Sequence, residues 1–211
     1  MARPDRIYLY RITHKDNLNF ILESGKLTCP SHDDSDPKYI GIGDSTLIGN
    51  RSSKKINIEP YGNFTDYVAF YFGARSPMLY EIQKGYNGVT KRSSQEIIYL
   101  VTTFENIIEN KCKYVFLDGH GYHSISQFFN DEDSLDEVDW DAVKLIHWND
   151  TEDDPDRKRR KQAELLIFKE LTLTALVAVV VYNETVKNEI IDKFAKHDLT
   201  CNVIVKPNWY Y

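Results

Sequence analysis

The first stretch of the chain to show a pattern is "RIYLYRIT" (6–13), where polar and apolar positions alternate and the residues are β-branched or aromatic, which predicts a strand. The period then changes. In "HKDNLNFILESG" Leu18, Ile21 and Leu22 fall on one helical face, Asp16 is placed to cap its start and Gly25 to stop it. Further on, "DYVAFYF" gives an apolar strand at 67–72, Gly73 breaks it, and Ser76 with Pro77 in the first turn opens a helix. "EIIYLVTT" (96–103) and "KYVFLD" (113–118) predict two more strands with "FENIIENK" as a short helix between them, while "HSISQFFND" and "DAVKLIHW" predict helical turns. The last third predicts strands at 164–168, 177–182 and 201–205, the last two separated by the well-patterned helix "ETVKNEIIDKFAKH".

Between these elements, residues 28–66 form a long polar stretch with one short helical candidate at 44–51. Loops of that length usually carry function, so substrate choice is expected to reside there, although its acidic "SHDDSDPK" portion is unlike a DNA-facing surface. No repeat or low-complexity tract interrupts the alternation of helix and strand patterns, so the expectation is one mixed α and β domain over residues 1–211. With 42% hydrophobic residues the chain can bury one substantial core.

The N-terminal "MARPDRIYLYR" lacks the apolar core of a secretory signal, and the longest apolar run, 175–182, is too short to span a bilayer; the expected compartment is the cytoplasm, with no membrane association. Cys29, Cys112 and Cys201 are odd in number and far apart, which suggests neither a disulfide framework nor a metal site. A net charge of −6 disfavours indiscriminate binding to duplex nucleic acid. The cations are nonetheless clustered, at Arg51, Lys54 and Lys55, at Lys91 and Arg92, and at 157–161, so a local basic groove on an acidic body is compatible with the composition.

His120 and His123 have an HxxH spacing without further ligands at metal-binding intervals, so no metal site is expected. A GxSxG elbow, a GxGxxG turn and a phosphate loop are all missing. "FYFGARSPMLY" admits two readings: a buried aromatic strand followed by a solvated arginine, or a flat-walled pocket for an aromatic ring with helix-start amides and Arg75 for its phosphate. Glu164 is the sharpest anomaly, standing at the edge of the run "ELLIF" that should be interior. It is either a surface carboxylate paired with Arg160 or Lys161, or a buried one that must be hydrogen-bonded.

Taken together, "RIYLYRITHKDNL", the arginine ending "IGNR", "DYVAFYFGARSPMLY", "DGH", "DPDRKRRKQAELLIF" and the closing "IVKPNWYY" resemble the DarT family of DNA ADP-ribosyltransferase toxins, in the family's order and over nearly the whole chain. The resemblance implies an α+β, ADP-ribosyltransferase-like fold whose split, mainly antiparallel sheet is flanked by helices and holds NAD+ as co-substrate in its cleft. It implies transfer of ADP-ribose onto a base in single-stranded DNA, typically thymidine at its ring nitrogen, with a related branch acting on guanosine, and a partner antitoxin of the DarG type carrying a macrodomain. Carried over by motif, Glu164 matches the catalytic glutamate and Arg51 the catalytic arginine. His14 and Asn17 fall in the segment that meets nicotinamide and its ribose, Tyr71, Arg75 and Met78 in the motif lining the NAD+ pocket, and His120 in the "DGH" motif. Lys54, Arg157 and Arg159 are candidates for a basic track under the acceptor strand. The rival expectations are the same fold modifying RNA or protein, and a silent nucleotide- or DNA-binding module, which would have no use for Glu164.

Overall fold

The computed structural model describes residues 2–211 and, of Arg51, the backbone alone. Its frame is an eight-stranded sheet assembled from strands that are buried on both faces. Strand β1 (Tyr8–His14) places Leu9 in the core on one side and Ile12 with Tyr10 on the other. The alternation seen in the sequence is therefore a strand's two faces rather than an inside and an outside.

Helix α1 (Asn17–Ser24) follows, ended by Gly25 in the left-handed conformation at φ 70°. Short strand β2 (Lys26–Thr28) leads into the long segment, which holds helix α2 (Ser45–Ser52) and the two-residue strands β3 (Lys55–Ile56) and β4 (Gly62–Asn63). Strand β5 (Tyr67–Tyr71) gives way to helix α3 (Pro77–Lys84), whose N-cap Ser76 accepts a hydrogen bond from the Leu79 amide. Strand β6 (Ile97–Thr103) is buried at all seven positions and passes directly into helix α4 (Phe104–Glu109), capped by Thr103.

Strands β7 (Tyr114–Leu117) and β8 (Phe128–Phe129) precede helix α5 (Arg157–Lys161), and strand β9 (Glu164–Phe168) is followed by β10 (Glu170–Thr172). Strand β11 (Ala178–Val181), helix α6 (Glu184–Ala195) and strand β12 (Val203–Val205) complete the chain. The sheet order is β12-β11-β6-β1-β5-β9-β7-β8, antiparallel throughout except for β11 and β12, which α6 connects by a crossover.

Several local expectations give way to tertiary pairing. The segment 123–131 is not a helical turn. Phe128 and Phe129 form β8 on the edge of β7, with the Phe129 ring stacked on Phe116 at 5.3 Å. Of "DAVKLIHW" only Ala142–Lys144 makes a helical turn, of the 3-10 kind. The strands β2 and β10 find each other in register, Leu27 opposite Leu171, across more than a hundred residues of chain.

One face of the sheet carries a single large core with Leu9, Phe70, Phe116, Leu165 and Ile190 among its members. The opposite face carries two smaller clusters. Ile12, Leu79, Tyr99 and Val180 lie on the β1–β6 side, and Ile56, Phe64, Val115 and Leu166 on the β5–β9–β7 side. The seam between them follows the sheet's weakest junction. β1 pairs with β6 at seven positions, but with β5 only through Tyr10 opposite Tyr71. Beyond that contact the two strands diverge, which splits the sheet. Among the described residues no helix is long and apolar enough to cross a membrane.

The loop leaving β5 is fixed by a buried cation. Lys161 is 1% exposed, and its ammonium donates to the carbonyls of Val143 at 2.7 Å and Ala74 at 2.9 Å. Gly73 lies against the same segment so closely that a Cβ there would stand 1.9 Å from the Val143 carbonyl oxygen. Burial, and next the nearby charge of Arg75, push the Lys161 amine down from the usual 10.5 to about 8. The folded state therefore releases this proton before the unfolded state does. Below pH 8 the full cost of the buried charge is present, and between about 8 and 10.5 stability rises with pH as that cost is removed. The stability of the wild-type chain relative to Lys161→Met should accordingly rise by up to about 3 kcal/mol across that window, measured by denaturant titration at a series of pH values. A pH-independent difference would show that the amine is not shifted.

Candidate functional site

The seam between the two small clusters is occupied by chemistry. In register, Glu164 is opposite Tyr71 on one side and Leu117 on the other, and Tyr71 is opposite Tyr10. Residues level with one another across a sheet share a face, so the Glu164 side chain lies on the face of the two small clusters, beside Tyr71. The carboxylate is 1% exposed. Its Oε1 accepts the Gly121 amide at 2.9 Å. A hydrogen-bonded carboxylate tolerates burial that a bare one does not, which decides between the two readings of Glu164 in favour of the interior.

Gly121 belongs to the loop 118–121, "DGHG", which follows β7. A Cβ on Gly121 would stand 2.6 Å from Glu164 Oε1 and 2.7 Å from the Phe64 ring, so only glycine brings its amide to the carboxylate. The loop is held from two directions. On one side the ammonium of Lys54 donates to the carbonyls of Gly121 and His123. On the other, the buried His120 donates its amide to the Arg159 carbonyl at 3.0 Å and accepts the Ser126 hydroxyl at its own carbonyl at 2.9 Å.

Arg159 underlies this loop. It is 8% exposed, its guanidinium joining Asp156 at 2.7 Å, Asp118 at 3.1 Å and Ser126 at 3.2 Å, directly beneath Gly119. The guanidinium of Arg159, a candidate for the basic track, is thus matched in the interior by Asp118 and Asp156. The rest of the basic run is similarly anchored. Arg160 pairs with Asp139 and Asp154, Arg157 with Asp154 at 3.1 Å, and the Lys158 ammonium lies 5.5 Å from the Trp148 ring. Lys54 also serves first as a clamp on backbone carbonyls.

On the other side of the seam, His14 ends β1 on the same face as Tyr10, four residues away, or about 13 Å along the strand. It is buried, with Nδ1 accepting the Asp16 amide at 3.2 Å and Nε2 3.7 Å from Glu96. Glu96 is held down at about 2, foremost by the Ser93 amide and also by the Ser93 hydroxyl and Arg92, so a fixed negative charge stands beside the imidazole. Asn17 is buried and commits its amide to the long segment, donating to Thr13 Oγ1 and the Ile40 carbonyl and accepting the Ile40 amide at 2.8 Å. A cavity of about 220 Å³ lined by Arg11, Thr13, Asn17 and Tyr39 opens here; it does not include Glu164.

The strand-to-helix motif brings Tyr71 and Met78 together. The Tyr71 hydroxyl meets Met78 Sδ at 4.0 Å. Arg75 adopts φ 58°, uncommon for a residue with a side chain, and is held there by the C-terminus: its amide donates to the Tyr99 hydroxyl, its carbonyl accepts the Tyr211 hydroxyl at 2.7 Å, and its guanidinium lies 4.5 Å over the Tyr211 ring. The side chain of Arg51, on α2, lies outside the described residues. Sequence reasoning gave no role to Gly121, Tyr99 or Tyr211. The doubled glycine of "DGHG" and the terminal aromatics were the available signals. Among the described residues no group of three or more His, Cys, Asp or Glu is placed to hold a metal ion.

The sequence profile of the family described as "ssDNA thymidine ADP-ribosyltransferase, DarT" matches residues 10–211. The chain belongs to the DarT family. A DNA ADP-ribosyl transferase of Escherichia coli O127:H6 is 32% identical over 208 residues, covering 99% of this chain and 95% of the relative. Thermus sp. 2.9 DarT in complex with ADP-ribosylated ssDNA superposes with a TM-score of 0.93 at 31% identity, covering 100% of this chain and 99% of that one. The same Thermus DarT in complex with NAD+ gives 0.87 at 32% identity, with full coverage of both chains. Within a DarT enzyme the fit of Gly121 against Glu164 sets a steric limit. Gly121→Ala should lower ADP-ribosyl transfer on the order of tenfold or more while the chain still folds, checked by initial rates alongside thermal melting. A wild-type rate would show that the Gly121 amide does not set the carboxylate's position.

Proposed function

We propose that this protein transfers ADP-ribose from NAD+ to a ring nitrogen of thymidine in single-stranded DNA, with Glu164 as the catalytic carboxylate. The observation that carries the proposal is the buried Glu164, held by the Gly121 amide at the seam of the split sheet. Breaking the bond between nicotinamide and ribose C1′ leaves positive charge on the sugar, and a carboxylate facing it lowers the barrier. Nicotinamide departs as a neutral molecule, the thymine nitrogen forms the new bond to C1′, and the proton that nitrogen carried passes to Glu164. One carboxylate serves both steps.

The reacting nitrogen lies on the Watson–Crick edge, which a duplex occupies, so a single strand is the natural acceptor. In this reading NAD+ lies along the seam from Tyr71, Arg75 and Met78 toward His14 and Asn17, while His120 in the loop at Glu164 meets the base. Arg51, with positive charge against the thymine oxygens, favours the deprotonated ring. Lys54 and Arg157 stand on the acceptor side. A macrodomain antitoxin of the DarG type is the partner that reverses the modification, and the cytoplasm is the compartment where both substrates are met.

Labelled NAD+ incubated with separate pools of single-stranded DNA, duplex DNA, RNA and protein tests the acceptor, and label in single strands containing thymidine is the expected result. Label confined to guanosine, RNA or protein would replace it. Glu164→Gln should lose at least about a hundredfold in transfer, roughly 3 kcal/mol of transition-state stabilisation, with NAD+ affinity changed no more than a few-fold. Arg51→Ala is expected to fall on the order of tenfold or more, and transfer at the wild-type rate would remove Arg51 from the mechanism.

A further inference from the structure

Two cavities of about 340 and 390 Å³ share the walls Arg6, Tyr8, Tyr10 and Trp209, and so adjoin each other as the two hollows of a trough over the N-terminal end of β1. Arg75 and Lys144 line one end and Lys206 the other. None of the residues lining either cavity is Asp or Glu, in a chain where 32 residues are acidic and the net charge is −6. Arg6, Lys144 and Lys206 are exposed, and Tyr8 is exposed at 41%. The Arg6 guanidinium already lies 5.4 Å from the Tyr8 ring, and Trp209 stands edge-on to Tyr10 at 5.3 Å.

Cations without carboxylates, interleaved with aromatic rings, is the chemistry that holds a single nucleic-acid strand by its phosphates and base faces. A duplex presents no free base faces to such rings. The trough also has the right address. Tyr10 is level with Tyr71, which is level with Glu164, so two strand spacings, about 10 Å, separate the trough's wall from the strand that carries the carboxylate.

We propose that this trough binds the nucleotides flanking the target base, with Arg6, Lys144 and Lys206 on successive phosphates and Tyr8 and Trp209 as stacking surfaces. The proposal rests on the reading of the protein as an enzyme acting on single-stranded DNA, and it adds a track for the flanking nucleotides to the acceptor side given by Lys54 and Arg157. The trough fixes the strand's path, and the Glu164 site does the chemistry.

The test uses the full chain with fluorescent single-stranded oligonucleotides containing one thymidine, titrated between 50 and 200 mM salt, conditions of the order in which phosphate contacts dominate affinity. The triple variant Arg6→Glu, Lys144→Glu, Lys206→Glu should raise the Kd about tenfold or more and flatten the salt slope by about 2. Transfer should fall by the same factor at low DNA concentration and recover at saturating DNA, with NAD+ affinity and melting temperature unchanged. Tyr8→Ala should weaken binding about fivefold or more, while Tyr8→Phe retains it. Unchanged Kd and salt slope in the triple variant, with wild-type protein binding and modifying the strand, would overturn the trough and leave the enzyme's function standing. Wild-type protein that neither binds nor modifies any single strand would overturn both.

Discussion

A carboxylate at the centre of a sheet is a constraint on everything packed around it. Glu164 begins β9 with strands on both sides, so water is excluded and the charge depends on donors supplied by the protein. One such donor is the Gly121 amide, and a backbone amide is only as well placed as its loop. That requirement accounts for the glycine at 121, for Lys54 on the loop's carbonyls, and for Arg159 and Ser126 beneath it. Lys54 and Arg159 thus both serve to hold one N–H in position at the carboxylate.

Elements whose cause is local were legible in the sequence. β1, β5, β6, α1, α3 and α6 announce themselves by period, and Asn183 and Ser76 cap as their types suggest, whereas Asp16, expected to cap α1, has helical backbone angles itself and makes no side-chain capping bond. The anomaly of Glu164 was visible as well, since a carboxylate opening an apolar strand is rare without a purpose. The elements that were not legible depend on partners far along the chain. β8 exists because Phe128 and Phe129 find Phe64 and Phe116, and β10 exists because β2 is waiting for it.

The basic run shows the same limit from the side of charge. Five consecutive cations suggest a solvated surface, yet Arg159 and Lys161 are buried. Helix α5 is one turn long, and its residues are turned inward by Asp118, Asp139, Asp154 and Asp156, acids whose spacing in sequence gives no hint of convergence. Part of the acidity behind the net charge of −6 thus serves as the counterions of this run. Neutralised locally, they leave the trough at Arg6, Lys144 and Lys206 as a face whose lining carries cations and no acids.

The split of the sheet and the shape of the site have one origin. β1 has seven partners in β6 and one in β5, because Tyr10 and Tyr71 meet at the level of Glu164 and the strands part beyond it. The segment 28–44 closes over that parting. Asn17 fastens it at Ile40, and a Cβ on Gly43 would fall 3.1 Å from Ile48 and 3.3 Å from Met78, so the loop rests against both α2 and the motif that begins α3. On the proposed placement of NAD+ along the seam, the cofactor meets the loop, the strand-to-helix turn and the carboxylate loop together. The 28–44 segment packs on Met78, which meets the Tyr71 hydroxyl at 4.0 Å, so a shift of the segment is transmitted to both through close packing. On the proposed reading that coupling gives the loop a physical route to influence both substrates: it borders the path proposed for NAD+, and it is braced on helix α2, which carries Arg51.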